Sequence, residues 1–342
     1  MKSIIINQPG RVEIYEVEKP VPKEGEALLK VLYGGICGSD LGTYRGTFAY
    51  ASYPRIPGHE FSAEIMEIGA NHQGLKTGMI VTCNPYFNCG KCYSCERGLV
   101  NCCTSNETLG AQRDGAFSEY ITMPIERIYD GKGLPAKTLA LIEPFCISYH
   151  GVSRANVQKG DRVLVIGAGT IGVLAAVSAR ALGAKVYIAD IAKGKIEYAV
   201  NTFELAGGIL NDTAENFTRK IAECTEGKGF DVTIEAVGLP STFQNCIDAV
   251  AFGGKVIQIG VGKKNLDFDF TLLQKKELNV FGSRNALKKD FLALIDLVKR
   301  GKVDLEKIIT NTYKMEDAAK AFEDFDKNAA SMLKVVLEFQ AK

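Results

Sequence analysis

The sequence predicts an α/β protein with two domains, of which one is β-rich and the other contains a doubly wound parallel sheet. The chain has 342 residues, and a single hydrophobic core seldom serves a chain of that length. Up to about residue 150, short apolar runs such as residues 27–32 and 61–68 alternate with Gly and Pro turns, which is typical of strands. From Arg162 onward, strand-like runs alternate with helical segments. This alternation predicts a parallel sheet with right-handed crossovers.

The elements of the second half can be placed individually. Buried strands are predicted at residues 163–166, 185–189, 231–235 and 256–259, and the Ala-rich segment 170–182 predicts a helix. After Arg284 the pattern predicts two helices, 290–299 and 316–326, and a closing strand, 334–339. We therefore expect a parallel-sheet domain over residues 150–284, and a β-rich domain over residues 1–149 that residues 285–342 complete.

The composition is that of an ordinary globular protein, with 46% hydrophobic and 24% charged residues. Lys and Arg number 41 and Asp and Glu 40, so the net charge of +1 favours neither nucleic acid nor an anionic membrane as a partner. The apolar runs are too short to span a bilayer. The N-terminal residues 1–7 enter a strand-like run without the features of a signal peptide, so we expect a cytoplasmic protein.

A glycine motif follows the first strand of the parallel-sheet domain. Between that strand and a helix, the pattern G-x-G-x-x-G is matched by Gly167, Ala168, Gly169, Thr170, Ile171 and Gly172, as in the phosphate-binding turn of a Rossmann domain. The first glycine allows the tight turn, the second lets the backbone approach a pyrophosphate, and the third lets helix and strand pack closely. The N-terminus of the helix then faces the phosphates. The motif predicts a bound dinucleotide.

The kind of dinucleotide is indicated by Asp190, which lies eighteen residues after the motif at the end of the next predicted strand. A carboxylate there accepts hydrogen bonds from the adenosine ribose hydroxyls and repels a 2′-phosphate, which favours NAD over NADP. Lys193 and Lys195 are close enough in sequence to leave NADP as an alternative, and Lys195 is a candidate cofactor-binding residue. Val237 and Val261 lie at the ends of two further predicted strands, so we expect them to flank the dinucleotide.

Six of the ten cysteines lie between residues 83 and 103. In a chain without signs of secretion, such crowding favours metal binding over disulfides. The spacing predicts a structural zinc site in a lobe over residues 84–106, closed by four thiolates: Cys89, Cys92, Cys95 and Cys103. Cys102 is the alternative fourth ligand, and an iron–sulfur cluster is the alternative metal group. A nucleic-acid-binding zinc ribbon would need a basic patch, and this lobe has only Lys91 and Arg97 against Glu96.

Three short segments, residues 35–40 (GICGSD), 57–60 (PGHE) and 142–144 (IEP), resemble motifs of the zinc-dependent medium-chain dehydrogenases, and the resemblance covers nearly the whole chain. It implies a GroES-like fold for the β-rich domain, two zinc ions per subunit and a homo-oligomer, either a dimer or a tetramer. The matching residues imply these roles: Cys37, His59 and Glu143 as ligands of a catalytic zinc with one open position, Glu60 as an outer or alternative ligand, and Ser39 as acceptor of the substrate proton.

The third ligand distinguishes the branches of this family. Liver-type alcohol dehydrogenases carry Cys there, whereas polyol, sugar-acid and threonine dehydrogenases carry Glu in a Glu-Pro pair, as at Glu143. The runs at residues 101–103, 143–150 and 282–286 are most similar to those of sugar-acid dehydrogenases. The resemblance therefore implies an NAD-dependent enzyme that oxidises a secondary alcohol of a small polyhydroxylated substrate, a hexonate. Arg284 is the candidate contact to the carboxylate or hydroxyls of that substrate.

Other functions share parts of this pattern. A sorbitol-type polyol dehydrogenase or a threonine dehydrogenase would use the same ligands, a quinone reductase would have the fold without zinc, and a zinc-binding interaction module would not need the dinucleotide motif. One position departs from the resemblance: relatives often place a proton-relaying His five residues after the first zinc cysteine, where this chain has Gly42. The exit of the proton beyond Ser39 is then left to Thr43, Tyr44 or water.

Overall fold

The computed structural model describes residues 1–262 and 264–339. By their contacts they form two compact units. The first unit comprises Met1–Glu143 together with the chain from Leu287 onward, and the second comprises Pro144–Ala286. The predicted segment 285–342 extends over residues 340–342, which lie outside the described residues.

Both unit boundaries differ from the predicted ones, the first by six residues and the second by two. The first falls inside a helix, and beyond its first turn this helix belongs to the second unit, where the Ser148 hydroxyl donates to the Ile171 carbonyl at 2.8 Å. The second boundary precedes Leu287 because the N–H of this residue donates to the Asp290 carboxylate of the following helix, at 2.8 Å. Local capping and helix continuity, rather than the apolar pattern, therefore set these boundaries.

The chain opens with these elements of the first unit: β1 (Lys2–Gln8), β2 (Arg11–Glu16), β3 (Glu26–Ile36), α1 (Gly38–Arg45), β4 (Glu60–Ile68), β5 (Ile80–Cys83), β6 (Tyr86–Phe87), α2 (Tyr93–Glu96), β7 (Glu107–Thr108), β8 (Tyr120–Pro124), β9 (Ile128–Asp130) and α3 (Ala136–Leu139). Helix α4 (Ile142–Arg154) then leads into the second unit: β10 (Arg162–Ile166), α5 (Thr170–Ala181), β11 (Lys185–Asp190), α6 (Lys193–Phe203), β12 (Gly207–Leu210), α7 (Ala214–Thr225), β13 (Phe230–Glu235), α8 (Pro240–Ala249), β14 (Val250–Gln258), α9 (Thr271–Lys275) and β15 (Asn279–Gly282). The first unit is completed by α10 (Lys288–Lys299), β16 (Ile309–Lys314), α11 (Ala318–Lys327) and β17 (Lys334–Glu338). Within the described ranges, no helix has both the length and the apolar character that a bilayer span requires.

Strand β3 lies at the centre of the larger sheet of the first unit. In the described part of the chain this sheet has the order β16-β17-β3-β4-β5-β9, and β8 also pairs with β3. All of these pairs are antiparallel except β16 with β17. Ala27, Leu29 and Val31 of β3 are fully buried because alternate residues of a strand face the same side. They share a core with Ile4 of β1 and Phe322 of α11, so the predicted β-rich domain is observed.

The second unit is an open parallel sheet with the order β12-β11-β10-β13-β14-β15 among the residues described. Val163, Leu164 and Val165 of the central strand β10 are fully buried, as expected for a strand covered on both faces. The chain places β11 and β12 on one side of β10 and β13 to β15 on the other. Doubly wound sheets bind their ligands next to such a reversal, at the carboxyl ends of the strands. The predicted doubly wound parallel sheet is confirmed.

The apolar pattern does not predict the two edge strands of this sheet, β12 and β15. Strand β12 contains two consecutive glycines, and glycine is poorly represented in strands. Gly208 is nevertheless required there, since a Cβ atom would lie 2.1 Å from Ile196 Cγ2 of α6. The absence of a side chain lets the covering helix lie close to the sheet edge.

Candidate active site and metal-binding lobe

Among its described residues, the first unit contains two groups of side chains whose ligand atoms all lie within 4.8 Å of one another. The first, here called the active-site group, consists of Cys37, His59 and Glu60. The second, here called the four-cysteine group, consists of Cys89, Cys92, Cys95 and Cys103. All ten cysteines are free of disulfides, so these thiols are available as metal ligands.

Strand pairing creates the active-site group. Strand β3 ends at Ile36 and Cys37 caps helix α1, while β4 begins at Glu60, directly after His59. The two strands are antiparallel and their register places Gly35 opposite Glu60. A Cβ atom on Gly35 would lie 2.3 Å from Glu60 Oε2, so this close approach requires glycine. The end of one strand and the start of the other thereby bring the thiol, the imidazole and the carboxylate together.

Asp40 ties the two ligand-bearing segments to each other. Its side chain is 1% exposed, and its carboxylate accepts hydrogen bonds from the N–H of Cys37 at 2.9 Å and from the N–H of Gly58 at 3.2 Å. Asp40 Oδ1 also lies 3.9 Å from Nδ1 of His59. Asp40 belongs to the first of the three motifs, but the motif by itself predicts no role for it. Its burial between the two segments identifies it as the residue that holds the ligands in register.

The charge around His59 suits a bound cation. His59 is buried, and its Nδ1 atom has no hydrogen-bond partner in the described structure. Burial by itself would lower the pKa of His59, but the negative charges of Cys37, Asp40 and Glu143 raise it well above its ordinary value. The pocket therefore stabilises positive charge at the imidazole. Thiolate, imidazole and carboxylate are also the donors found in catalytic zinc sites, so the residues present fit a zinc ion.

Glu143 lies beside the active-site group rather than in it, although the sequence predicts it as the third ligand and Glu60 as the outer one. It sits in the first turn of α4, buried, and its carboxylate accepts a hydrogen bond from the Tyr86 hydroxyl. Burial raises the pKa of Glu143 to about 7, against the opposing effect of His59. Glu60 joins the group because the register of β3 and β4 places it opposite Gly35, two residues before Cys37. The pocket thus contains two glutamate carboxylates besides that of Asp40, and no motif of the sequence pointed to the tyrosine that holds Glu143.

A buried lysine provides the counter-charge for Glu60. Lys334 is the first residue of β17 and is 2% exposed, and its ammonium group donates to Glu60 Oε1 at 2.8 Å, to Oε2 at 2.5 Å and to the Ile36 carbonyl at 3.2 Å. Burial alone would lower the pKa of Lys334, but the charges of Glu60 and Cys37 raise it. The ammonium form is therefore favoured. The signal for this residue in the sequence is slight: one charged residue at the start of an apolar strand.

Backbone donors favour a thiolate in the four-cysteine group. N–H groups lower the pKa of Cys92 to about 5, whereas burial and the neighbouring Cys92 raise the pKa of Cys95 to about 11. The sulfurs of these two residues are 3.5 Å apart, and the N–H of Cys89 donates to the sulfur of Cys103 at 3.3 Å. Cys103 is fully buried within the group, while Cys102 is exposed and outside it. Four converging sulfurs match the donor set of a closed structural zinc site.

The second unit contains the predicted glycine turn. Gly167 follows β10 with a φ of 109°, which favours glycine, and a Cβ atom on Gly172 would lie 1.7 Å from the Gly167 carbonyl oxygen. A Cβ atom on Gly169, in contrast, would meet no atom within 4 Å. Gly167 and Gly172 are therefore required by the backbone geometry and packing of the turn. Gly169 leaves the backbone accessible at the N-terminus of α5, where Thr170 and Ile171 begin the helix.

Two carboxylates organise the loops at the ends of these strands. Asp190 ends β11, and its oxygens accept hydrogen bonds from the N–H of Ala168 at 2.7 Å and from the N–H of Ala192 at 2.8 Å. Glu235 ends β13, is fully buried, and accepts two N–H donors of the following loop at 2.9 and 2.8 Å. The sequence pattern predicts Asp190 in this region, whereas Glu235 lies in no recognised motif. Both side chains fix the loops beside the glycine turn.

The remaining predicted site residues lie at the following places in their own units. Val237 and Val261 follow β13 and β14 and are 43% and 85% exposed, so the strand ends carry accessible apolar side chains. Lys195 lies in the first turn of α6, and Arg284 is exposed just beyond β15. Ser39 is half-buried in the first turn of α1, two residues after Cys37.

Models of two protein families match this chain. The alcohol dehydrogenase GroES-like domain matches residues 23–133, and the zinc-binding dehydrogenase model matches residues 170–300. The chain therefore belongs to the zinc-dependent medium-chain alcohol dehydrogenases, and the predicted fold class, a GroES-like domain plus a Rossmann domain, is confirmed. It is an oxidoreductase of a family that acts on CH–OH donors and uses zinc and a nicotinamide dinucleotide.

Its relatives place it within that family. The chain is 36% identical to L-galactonate-5-dehydrogenase of Escherichia coli (strain K12) over 99% of each chain. It is 32% identical to sorbitol dehydrogenase of Halalkalibacterium halodurans, over 94% of this chain and 95% of that one. Among solved structures, the NADH complex of the alcohol dehydrogenase RspB from E. coli CFT073 has a TM-score of 0.92, with 32% identity over 99% of each chain. The predicted sugar-acid and polyol branch is confirmed.

Cys95→Ser should lower both the zinc content and the melting temperature, because opening a closed four-thiolate site removes metal-linked folding free energy. Elemental analysis and thermal unfolding measure these two effects. Cys102→Ser is the matched control, since Cys102 is exposed and outside the four-cysteine group, and it should leave both quantities unchanged. If Cys102→Ser lost zinc and Cys95→Ser retained it, the assignment of Cys95 as a zinc ligand and of Cys102 as a non-ligand would be wrong.

Lys334→Met should destabilise the protein strongly, because it leaves the buried Glu60 carboxylate without its counter-charge. Removing one partner of a buried ion pair costs about 3–5 kcal/mol, and combining Glu60→Gln with Lys334→Met should recover much of that loss. The free energy of unfolding from denaturant titration measures both. Lys2→Met is the control, since Lys2 pairs with Glu316 at the surface, where ion pairs contribute little. Equal losses for the two lysine variants would contradict the prediction.

Proposed function

We propose that this protein is a zinc- and NAD-dependent dehydrogenase that oxidises a secondary alcohol of a polyhydroxylated substrate, specifically a hexonate. The observation that carries the proposal is the pair of buried carboxylates, Glu60 and Glu143, around Cys37 and His59. The similarity to L-galactonate-5-dehydrogenase over nearly the whole chain supports the sugar acid as the substrate class. The sorbitol dehydrogenase relative supports a polyol as the second candidate.

We assign two zinc sites to each subunit on the basis of the donor sets. The four-cysteine group supplies four sulfurs and fits a structural ion, and the active-site group supplies a thiol, an imidazole and a carboxylate. At the latter, zinc supplies Lewis-acid chemistry toward the substrate oxygen when bound. Glu60 and Glu143 are the two candidates for the carboxylate ligand, and the one that does not bind the ion is available to hold the substrate hydroxyl.

The protein residues have separate tasks in this reaction. Ser39, two residues after Cys37, takes the proton of the substrate hydroxyl, and the hydrogen on the same carbon leaves as hydride for the nicotinamide ring. The family's relay histidine is replaced by Gly42, where a Cβ atom would lie 3.1 Å from Phe48 Cβ. A side chain at that position would therefore lie close to Phe48.

Three properties from the sequence stay predictions. A homo-oligomer, either a dimer or a tetramer, and a cytoplasmic location follow from the family resemblance and the composition. Arg284 stays the candidate contact to a substrate carboxylate, on the surface of the second unit. Light scattering of the purified protein measures the first of these directly.

NAD should be preferred over NADP, because the fixed carboxylate of Asp190 would repel a 2′-phosphate while accepting hydrogen bonds from ribose hydroxyls. The NADH complex of the RspB relative supports this choice. Asp190→Ala should narrow the preference, and catalytic efficiency with each cofactor measures it. Asp212→Ala is a control, since Asp212 lies in a loop after β12. A wild-type enzyme with higher efficiency on NADP would refute the assignment.

A hexonate should be oxidised with higher catalytic efficiency than sorbitol, L-threonine or ethanol. With two glutamate carboxylates at the site, one can bind the ion and the other can hold a second substrate oxygen, whereas ethanol offers only one oxygen. Glu143→Ala should lose most activity while NAD binding is retained, because the glycine turn belongs to the other unit. Glu64→Ala, on strand β4 outside the active-site group, is the matched control. Highest efficiency on ethanol, or near wild-type turnover of Glu143→Ala, would show that the substrate class or the role of Glu143 is wrong.

A further inference from the structure

Tyr86, the residue that holds Glu143, is itself fixed by Arg127. The Tyr86 carbonyl accepts a hydrogen bond from Nη1 of Arg127. The N–H of Tyr86 donates to Asn84 Oδ1 at 3.0 Å, and the N–H of Asn84 donates to the Arg127 carbonyl at 2.8 Å. The side chain and the backbone of Arg127 thus bind the chain on both sides of the tyrosine, which is 6% exposed.

The same guanidinium is linked to the four-cysteine group through Asn88. Its Nη2 donates to Asn88 Oδ1 at 2.9 Å, and Asn88 Nδ2 donates to the sulfur of Cys95 at 3.7 Å. The guanidinium lies over the ring of Phe87, 4.7 Å from its centroid. The Arg127 side chain is 11% exposed, so these contacts are shielded from water. One cation therefore contacts three consecutive residues, of which the first faces Glu143 and the third faces the cysteines.

The strand that carries Tyr86 is short. Strand β6 has two residues and pairs only with the two residues of β7 in the described part of the chain, and a ribbon of this size is not stable alone. A guanidinium is planar and offers five donors, so it can bridge a backbone carbonyl and an amide oxygen at once. Because Tyr86 is buried, packing restricts the torsions of its side chain, so a shift of its backbone also shifts its hydroxyl.

We propose that Arg127 is a positioning residue of the active site. By joining Asn88 to the backbone of Tyr86, it sets the place of the tyrosine hydroxyl and therefore of Glu143, and it makes that place depend on the four-cysteine group. Arg127 acts through Tyr86 and does not touch the substrate. The inference rests on the proposed function, in which Glu143 contacts the substrate or the ion.

Arg127→Met and Arg113→Met form a matched pair for the test. Arg113 also lies over the ring of Phe87, at 4.2 Å, but its ionic partner is Glu107, half-exposed at the surface. We expect Arg127→Met to lower kcat about tenfold with KM within about twofold of wild type, in the range of the loss seen when outer partners of metal sites are removed. Arg113→Met should stay within about twofold of wild type in both constants. Circular dichroism and melting temperature establish that both variants are folded.

A double-mutant cycle separates positioning from a general loss of stability. Tyr86→Phe removes the hydroxyl, so Arg127→Met should lower kcat little further in that background. A second readout is the change in visible absorption of the cobalt-substituted enzyme when substrate is added, which reports on the active-site ion. Arg127→Met and Tyr86→Phe should shift this substrate-induced absorption change in the same direction, and Arg113→Met should leave it as in the wild type. If Arg127→Met does not fold, Asn88→Ala is tested in its place. Asn88→Ala removes the side chain that joins Arg127 to Cys95, so it should alter the cobalt signal in the same direction.

The outcomes distinguish this inference from the proposed function. Additive losses of kcat in the double variant, a cobalt signal unaltered by Arg127→Met or its replacement, or equal behaviour of the two arginine variants would overturn the role of Arg127. A wild-type protein that binds no cobalt at the active-site group, or oxidises none of the polyhydroxylated substrates, would overturn the proposed function, and with it the inference. Loss of activity together with a non-additive cycle and an altered cobalt signal supports the positioning role.

Discussion

The close antiparallel approach of β3 to β4 is the constraint on which the active site depends. Gly35 faces the Glu60 carboxylate with no room for a Cβ atom, and Gly34 and Gly58 both lie against the buried ring of Phe117, where Cβ atoms would come within 2.6 and 2.1 Å of it. Larger residues at these points would force the strands apart, because packed cores do not absorb extra atoms without shifting. The glycines therefore set the separation of the ligand-bearing segments, and Asp40 maintains it.

The second constraint is the balance of charge within this pocket. Asp40, Glu60 and Glu143 are all buried, and buried carboxylates are costly unless they are neutralised or hydrogen-bonded. Lys334 compensates one of them, and the raised pKa of His59 shows that negative charge still dominates around the imidazole. The same imbalance that makes the pocket costly to build makes a divalent cation favourable there. Structural stability and metal affinity are thus coupled through the same few side chains.

Much of the fold follows from local pattern. A strand buried on both faces is a continuous apolar run, so the central strand of the second unit was predictable at residues 163–166 and is observed at Arg162–Ile166. The helix predicted at residues 170–182 is observed at Thr170–Ala181. Strand β12 could not be predicted in this way, because Gly207 and Gly208 form a strand only through pairing with β11 and close packing under α6. Edge strands of this kind depend on neighbours that are distant in sequence.

The sequence by itself determined the family, the two domain types, the glycine turn and the cysteine lobe, because each depends on residues a few positions apart. Only the tertiary structure decided that Glu60 lies with Cys37 and His59, that Tyr86 holds Glu143, and that Lys334 pairs with Glu60 from 274 residues away. Such contacts leave no trace in local spacing, since the pairing of strands from opposite ends of the chain creates them. The physical reason is that a ligand motif specifies which groups can bind an ion, whereas burial and counter-charges, which only the folded chain supplies, specify where each group lies.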